Sequence, residues 1–208
     1  MDKKLLKAHI KKVVSEEYSK IPEIVPPNIP NTMNFWHGGD LNSFDEIISQ
    51  KNGRYEYGAG LYITTHYGTA QKYAKGSRKL YLLTVAKGND IFGSFLPLDK
   101  TKDFINTYII SNKRKMLFER LQNHIVDGKV KAYVFNNIIL NEKAIKSTNT
   151  KLLRNFYVEN NIDYEIIDNA FGWHEKMMVL YNMKKIVNII QVGPKDKISV
   201  YDLNTEFN

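Results

Sequence analysis

Short apolar runs of strand character recur along this chain at uneven intervals, separated by helical stretches of different lengths. The clearest run is Lys79 to Ala86, stopped by Lys87-Gly88-Asn89. Residues 33–37, Leu61–Thr64, Tyr164–Ile167, Lys176–Tyr181 and Ile186–Val192 have the same β-branched and aromatic content. Between them, Ser43–Gln50, Thr69–Lys75, 101–126 and Thr150–Asn160 carry apolar residues at helical spacing, while 131–140 fits a strand or a helix. No regular strand–helix–strand alternation runs through the sequence. A doubly wound parallel sheet is therefore disfavoured, and an α+β fold is predicted.

At 208 residues, the chain is long enough to bury a core without staples. It has no cysteine, which excludes a disulfide framework, a Cys-ligated metal and a thiol nucleophile. Leu5, Leu6, Ile10, Val13 and Val14 predict a helix within residues 1–20. Four of the six prolines fall in the next segment, so 21–32 reads as an extended connector to a main domain at 33–208. No apolar run is long enough for a membrane span, and the N-terminus lacks the apolar core of a secretory signal. The expectation is a cytoplasmic protein with no membrane partner.

The formal charge is +8, from 30 basic and 22 acidic residues. Residues 101–154 alone carry 11 Lys or Arg against four Asp or Glu. That basic, largely helical region is either a solvated Lys-rich surface or a docking region for nucleic acid. The abundance of Lys, Asn and Ile points to a low-GC bacterial or phage genome. For a phage-borne or toxin protein, the working compartment becomes the host cytoplasm.

Several chemistries lack their motifs. Gly58-Ala-Gly60 leads into a strand, the wrong context for a dinucleotide-binding helix. There is no P-loop and no Gly-x-Ser-x-Gly elbow. His9, His37, His66, His124 and His174 show no metal-ligand spacing, so no metal is expected.

Three segments stand out together: Phe35-Trp36-His37-Gly38-Gly39; Gly58-Ala-Gly60-Leu-Tyr62-Ile-Thr64 with Tyr73 beyond it; and Trp173-His174-Glu175-Lys-Met177 running on to Tyr181 and Ile186. Their order and spacing resemble the ADP-ribosyltransferase superfamily, in its diphtheria-toxin and poly(ADP-ribose) polymerase branch with the His-Tyr-Glu signature. His37-Gly38 is similar to the first-strand His-Gly, and Gly60-Leu-Tyr62-Ile-Thr64 to Gly-x-Tyr-Phe-Ala/Ser. Tyr73 lies 11 residues after Tyr62, the spacing of the family's second stacking tyrosine. The resemblance covers about residues 33–190. The Arg-Ser-Glu branch fits less well, because the first strand has no Arg.

The resemblance implies a split, mostly antiparallel β core with surrounding helices and an N-terminal helical extension. It also implies NAD+ as substrate and a macromolecular acceptor, protein or nucleic acid, with contact through 101–154. His37, Gly38, Tyr62, Thr64 and Tyr73 would bind NAD+, and Glu175, His37 and Tyr62 would be catalytic. The residue types suit these roles. A glycine backbone approaches a carboxamide closely. Aromatic faces hold a cationic ring by roughly 0.5–2 kcal/mol per contact. A His can fix a ribose hydroxyl, and a carboxylate stabilises the positive charge developing at the ribose.

The third motif departs from the pattern. Alignment of the last strand puts Met177 at the family's glutamate, with Glu175 two residues earlier. In a strand, i and i+2 share a face, so Glu175 can still reach the cleft, with Met177 packing beneath the nicotinamide ribose. The alternative is a degenerate position, as in family members that only mono-ADP-ribosylate or are inactive. Mono-transfer is therefore expected over chain building. A catalytically inactive NAD- or ADP-ribose-binding module and an NAD+ glycohydrolase are the competing readings.

Overall fold

The computed structural model describes residues 23–41, 58, 60–76, 78–146, 149–170, 172 and 174–208. The predicted helices at 1–20 and Ser43–Gln50, and most of the glycine- and tyrosine-rich stretch before Leu61, lie outside the described residues.

Eleven strands are defined among the described residues: β1 (Glu23–Ile24), β2 (Thr32–Gly38), β3 (Leu61–Thr64), β4 (Leu80–Ala86), β5 (Phe95–Pro97), β6 (Ile125–Val126), β7 (Lys129–Lys131), β8 (Tyr164–Asp168), β9 (Lys176–Leu180), β10 (Ile186–Val192) and β11 (Lys197–Ile198). The five α-helices are α1 (Tyr67–Tyr73), α2 (Leu98–Tyr108), α3 (Arg114–Gln122), α4 (Ala132–Asn141) and α5 (Thr150–Glu159). The fold is mixed α+β. Its main sheet has six strands in the order β10-β4-β2-β3-β9-β8, all antiparallel to their neighbours.

Strand β4 is buried along nearly its whole length because both faces of the sheet are covered there. One face carries Met33, Phe35, Leu83, Val85, Ile63 and Met178. At one end of the opposite face, Trp36, Leu80 and Leu82 pack against Ala70 of α1, against Ala74 just past its end and against Leu203. At the other end, Met177, Val179 and Tyr181 meet a large cluster built from α2 to α5. The basic region thus supplies most of the largest core cluster. Of the ambiguous segment 131–140, Lys131 closes β7 and the rest is helical, with Val134, Phe135 and Ile139 of α4 buried. A three-stranded sheet of order β5-β7-β6 went unpredicted, because its strands are only two or three residues long.

The described part of the connector is extended as expected, and it is pinned down. β1 pairs in parallel with β11, and Asn31 N donates to the carbonyl of Asn208 at 2.8 Å. The C-terminal segment then crosses α1. Trp36 Nε1 donates to the Tyr201 carbonyl at 3.0 Å, and Leu203 N donates to the Thr65 carbonyl at 2.9 Å.

A buried polar network joins the sheet to the helical cluster. Tyr181 Oη (2.9 Å) and Asn136 Nδ2 (3.1 Å) both donate to Glu165 Oε2, and Tyr157 Oη donates to Asn136 Oδ1 at 2.9 Å. Burial pushes the Glu165 carboxyl up to about 7, against an opposing pull from the Tyr181 hydroxyl. The folded state therefore binds this proton more tightly than the unfolded chain. The resulting stability is fully present below the ordinary value of 4.5 and is lost as pH rises to about 7. The span corresponds to something on the order of 3 kcal/mol. Urea unfolding at pH 5 and pH 8 should show wild type losing stability relative to Glu165→Gln, which cannot ionise. An unchanged difference between the two would mean that Glu165 does not titrate in this window.

Candidate active site

A cavity of about 560 Å³ opens between α1, the turn joining β8 to β9, and the C-terminal segment. Glu175, the last residue before β9, is its best-built polar group, with only 6 % of its surface exposed. Thr64 Oγ1 donates to its Oε1 at 2.5 Å, and Thr69 Oγ1 donates to its Oε2 at 3.2 Å. The two threonines come from different elements, the end of β3 and the first turn of α1. Each carboxylate oxygen has a second acceptor position beyond these contacts.

Register explains why the carboxylate arrives there. Thr64 lies directly opposite Met177 in the β3–β9 ladder, so their side chains share a face. Glu175, two residues before Met177, reaches Thr64 on that same face, as the i, i+2 rule predicts. Met177 itself is 3 % exposed and packs in the core formed with α2 to α5, rather than beneath a ligand in the cavity. The backbone just before Glu175 is unusual. His174 has φ +64°, a left-handed conformation that costs a non-glycine residue about 1–3 kcal/mol.

His66 caps α1, its Nδ1 accepting from Thr69 N at 3.2 Å. Its Nε2 faces Asp202 Oδ1 at 3.2 Å, which ties the cap to the C-terminal segment. Lys72 and Tyr73 stand on the cavity rim, and Tyr73 is 64 % exposed. Among the described residues, no group of three or more acidic or imidazole side chains is gathered as a metal site.

The residues predicted from sequence divide between two places. Tyr73 and Glu175 line the cavity, and Thr64 holds Glu175 from beneath. His37, Gly38 and Tyr62 are not among the lining residues. Trp36 pairs with Thr64, so the side chains of Trp36, Thr64 and Tyr62 point to one face and that of His37 to the other. Tyr62 packs against the helical core, its hydroxyl donating to the Gly58 carbonyl at 2.8 Å. His37 is buried beside Tyr81, and its Nδ1–H donates to the Tyr62 carbonyl at 2.9 Å. Burial holds its pKa below the ordinary imidazole value despite that hydrogen bond, which favours the neutral ring.

Gly38 has a packing reason to lack a side chain. A Cβ there would sit 1.8 Å from the Ala70 carbonyl oxygen, so only glycine lets α1 lie this close to β2. Sequence reasoning missed Thr69, His66 and Asp202. His is not among the residue types that favour an N-cap, so the cap on α1 carried no sequence signal. Nothing local ties Asp202 to a residue 136 positions earlier.

Among the described residues, no helix is long and apolar enough to cross a membrane. Comparison with protein-family models, with curated proteins and with solved structures gives no match for the chain.

Proposed function

We propose that this protein transfers ADP-ribose from NAD+ to a protein or nucleic-acid acceptor in the cytoplasm, with Glu175 as the catalytic carboxylate. The observation that carries the reading is the buried Glu175 carboxylate, fixed by Thr64 and Thr69 at a cavity edged by Tyr73. It joins the third segment of the ADP-ribosyltransferase-like pattern to the second. Preorganised negative charge in a partly water-excluded site favours a developing cation most when no reorganisation is needed.

In this reading the bond between nicotinamide nitrogen and ribose C1′ breaks, and its electron pair leaves with the neutral nicotinamide. The Glu175 carboxylate stabilises the oxocarbenium-like ribose left behind, using the acceptor positions that the threonines do not occupy. The acceptor nucleophile then bonds to C1′ and gives up its proton, with Glu175 as the nearest base. Tyr73 offers a ring face to the nicotinamide from the rim. His37 and Gly38 act through the scaffold: His37 locks the Tyr62 carbonyl, and Gly38 seats α1, which carries Thr69 and Tyr73.

Nicotinamide release from NAD+, measured with and without cell lysate, tests the reading. Release that depends on lysate, with label from NAD+ carried into macromolecules, is expected. Release without any acceptor identifies a hydrolase, and no release under either condition identifies a binding module.

A further inference from the structure

The small sheet β5-β7-β6 turns a second chemically distinct surface outward. Leu96 and Val130 are directly paired and fully buried, so they mark its inner face. By the two-residue period, Phe95, Lys129 and Lys131 point the other way. Phe95 lies opposite Lys131 in the ladder and is 45 % exposed. Phe92 is 51 % exposed beside this face, its ring centroid 5.4 Å from that of the half-buried Tyr133. An open aromatic ring therefore sits beside the exposed ammonium of Lys131, with Lys129 opposite Pro97 on the same face; the three strands contain no acidic residue, and Asp127 lies in the turn joining β6 to β7.

We infer that this face binds single-stranded nucleic acid, with bases stacking on Phe92 and Phe95 and phosphates meeting Lys129 and Lys131. Charge complementarity selects the partner. Its two lysines belong to residues 101–154, which carry 11 basic against four acidic residues, while Phe92 and Phe95 come from the segment just before. A second copy of the chain would bring like charges together. An acidic peptide would satisfy the lysines but has no flat groups for the rings. A duplex offers phosphates but keeps its bases stacked internally, whereas every unpaired base has a free π face. The inference does not depend on the transfer chemistry, because binding is read without NAD+.

Fluorescence anisotropy of the full chain with labelled oligothymidylate, oligouridylate and a blunt duplex tests it. Both single strands should bind more tightly than the duplex, and affinity should fall as salt rises. Phe92→Ala with Phe95→Ala should weaken single-strand binding by roughly 10- to 100-fold and leave duplex binding nearly unchanged. Phe95→Leu keeps the apolar bulk and the fold but removes the ring, and should still weaken binding several-fold. Lys129→Gln with Lys131→Gln should lower the salt slope by about 1.4. Equal affinity for duplex and single strand, or unchanged affinity in both aromatic variants, would overturn the inference. Displacement by polyglutamate as readily as by unlabelled oligonucleotide would also overturn it and point to an acidic protein.

Discussion

Glu175→Gln should lower nicotinamide release from NAD+ by roughly 100- to 1000-fold, the usual consequence of removing one preorganised group that stabilises transition-state charge. The substitution is nearly isosteric. Its amide oxygen can still accept from Thr64, and the Thr69 hydroxyl can rotate to accept from the amide nitrogen, since a hydroxyl both donates and accepts. The folded structure and the affinity for NAD+ should therefore stay within a few-fold of wild type, so the loss appears in turnover. Single-turnover rates beside an equilibrium NAD+ titration separate the two effects. Full turnover in a folded Glu175→Gln protein would remove Glu175 from the chemistry and leave the cavity a binding site at most.

Trp36→Ala should cost about 3–5 kcal/mol of folding stability for the lost aromatic bulk. Trp36 is fully buried at the centre of β2, with Tyr67 edge-on at 5.2 Å. Its indole N–H is also the donor that holds the Tyr201 carbonyl, and through it the C-terminal segment, against α1. The next two residues, Asp202 and Leu203, form part of the cavity wall. The damage should therefore be both global and local, seen as a lower urea midpoint and as faster amide exchange at Leu203. Trp36→Phe keeps much of the ring but has no donor, so it should recover most of the stability while leaving the segment loosened. A Trp36→Ala protein within about 1 kcal/mol of wild type would show that the segment is anchored elsewhere.

Much of the architecture was readable from residues alone because it rests on local rules. Apolar, β-branched and aromatic content predicted strands at 79–86, 164–167 and 176–181, within a residue of the observed Leu80–Ala86, Tyr164–Asp168 and Lys176–Leu180, and irregular spacing disfavoured a parallel doubly wound sheet. The i, i+2 relation allowed Glu175 to share the face of Met177, and the structure puts Thr64 on that face as its partner. The same local rules were silent about 131–140, where two short apolar runs either side of Asn136-Asn137 suit a strand and a helix equally. There, packing against the sheet decided in favour of α4.

What tertiary structure alone decided is which candidates meet. His37 and Tyr62 are 25 residues apart, and register determines whether their side chains share a face. A shift of one residue would have put them together, but Trp36 pairs with Thr64 and separates them. The Thr69 and Asp202 contributions depend on a helix packing over glycine and on a C-terminal segment returning to β3, both long-range events without a local signature. Composition and the uneven spacing of strand-like and helix-like runs determined that this chain would form an α+β fold with a basic, largely helical stretch at 101–154. Register and chain return determined that the buried Glu175 carboxylate would line one cavity with Tyr73 and His66, because side-chain direction in a sheet is set by pairing partners that no local stretch of sequence contains.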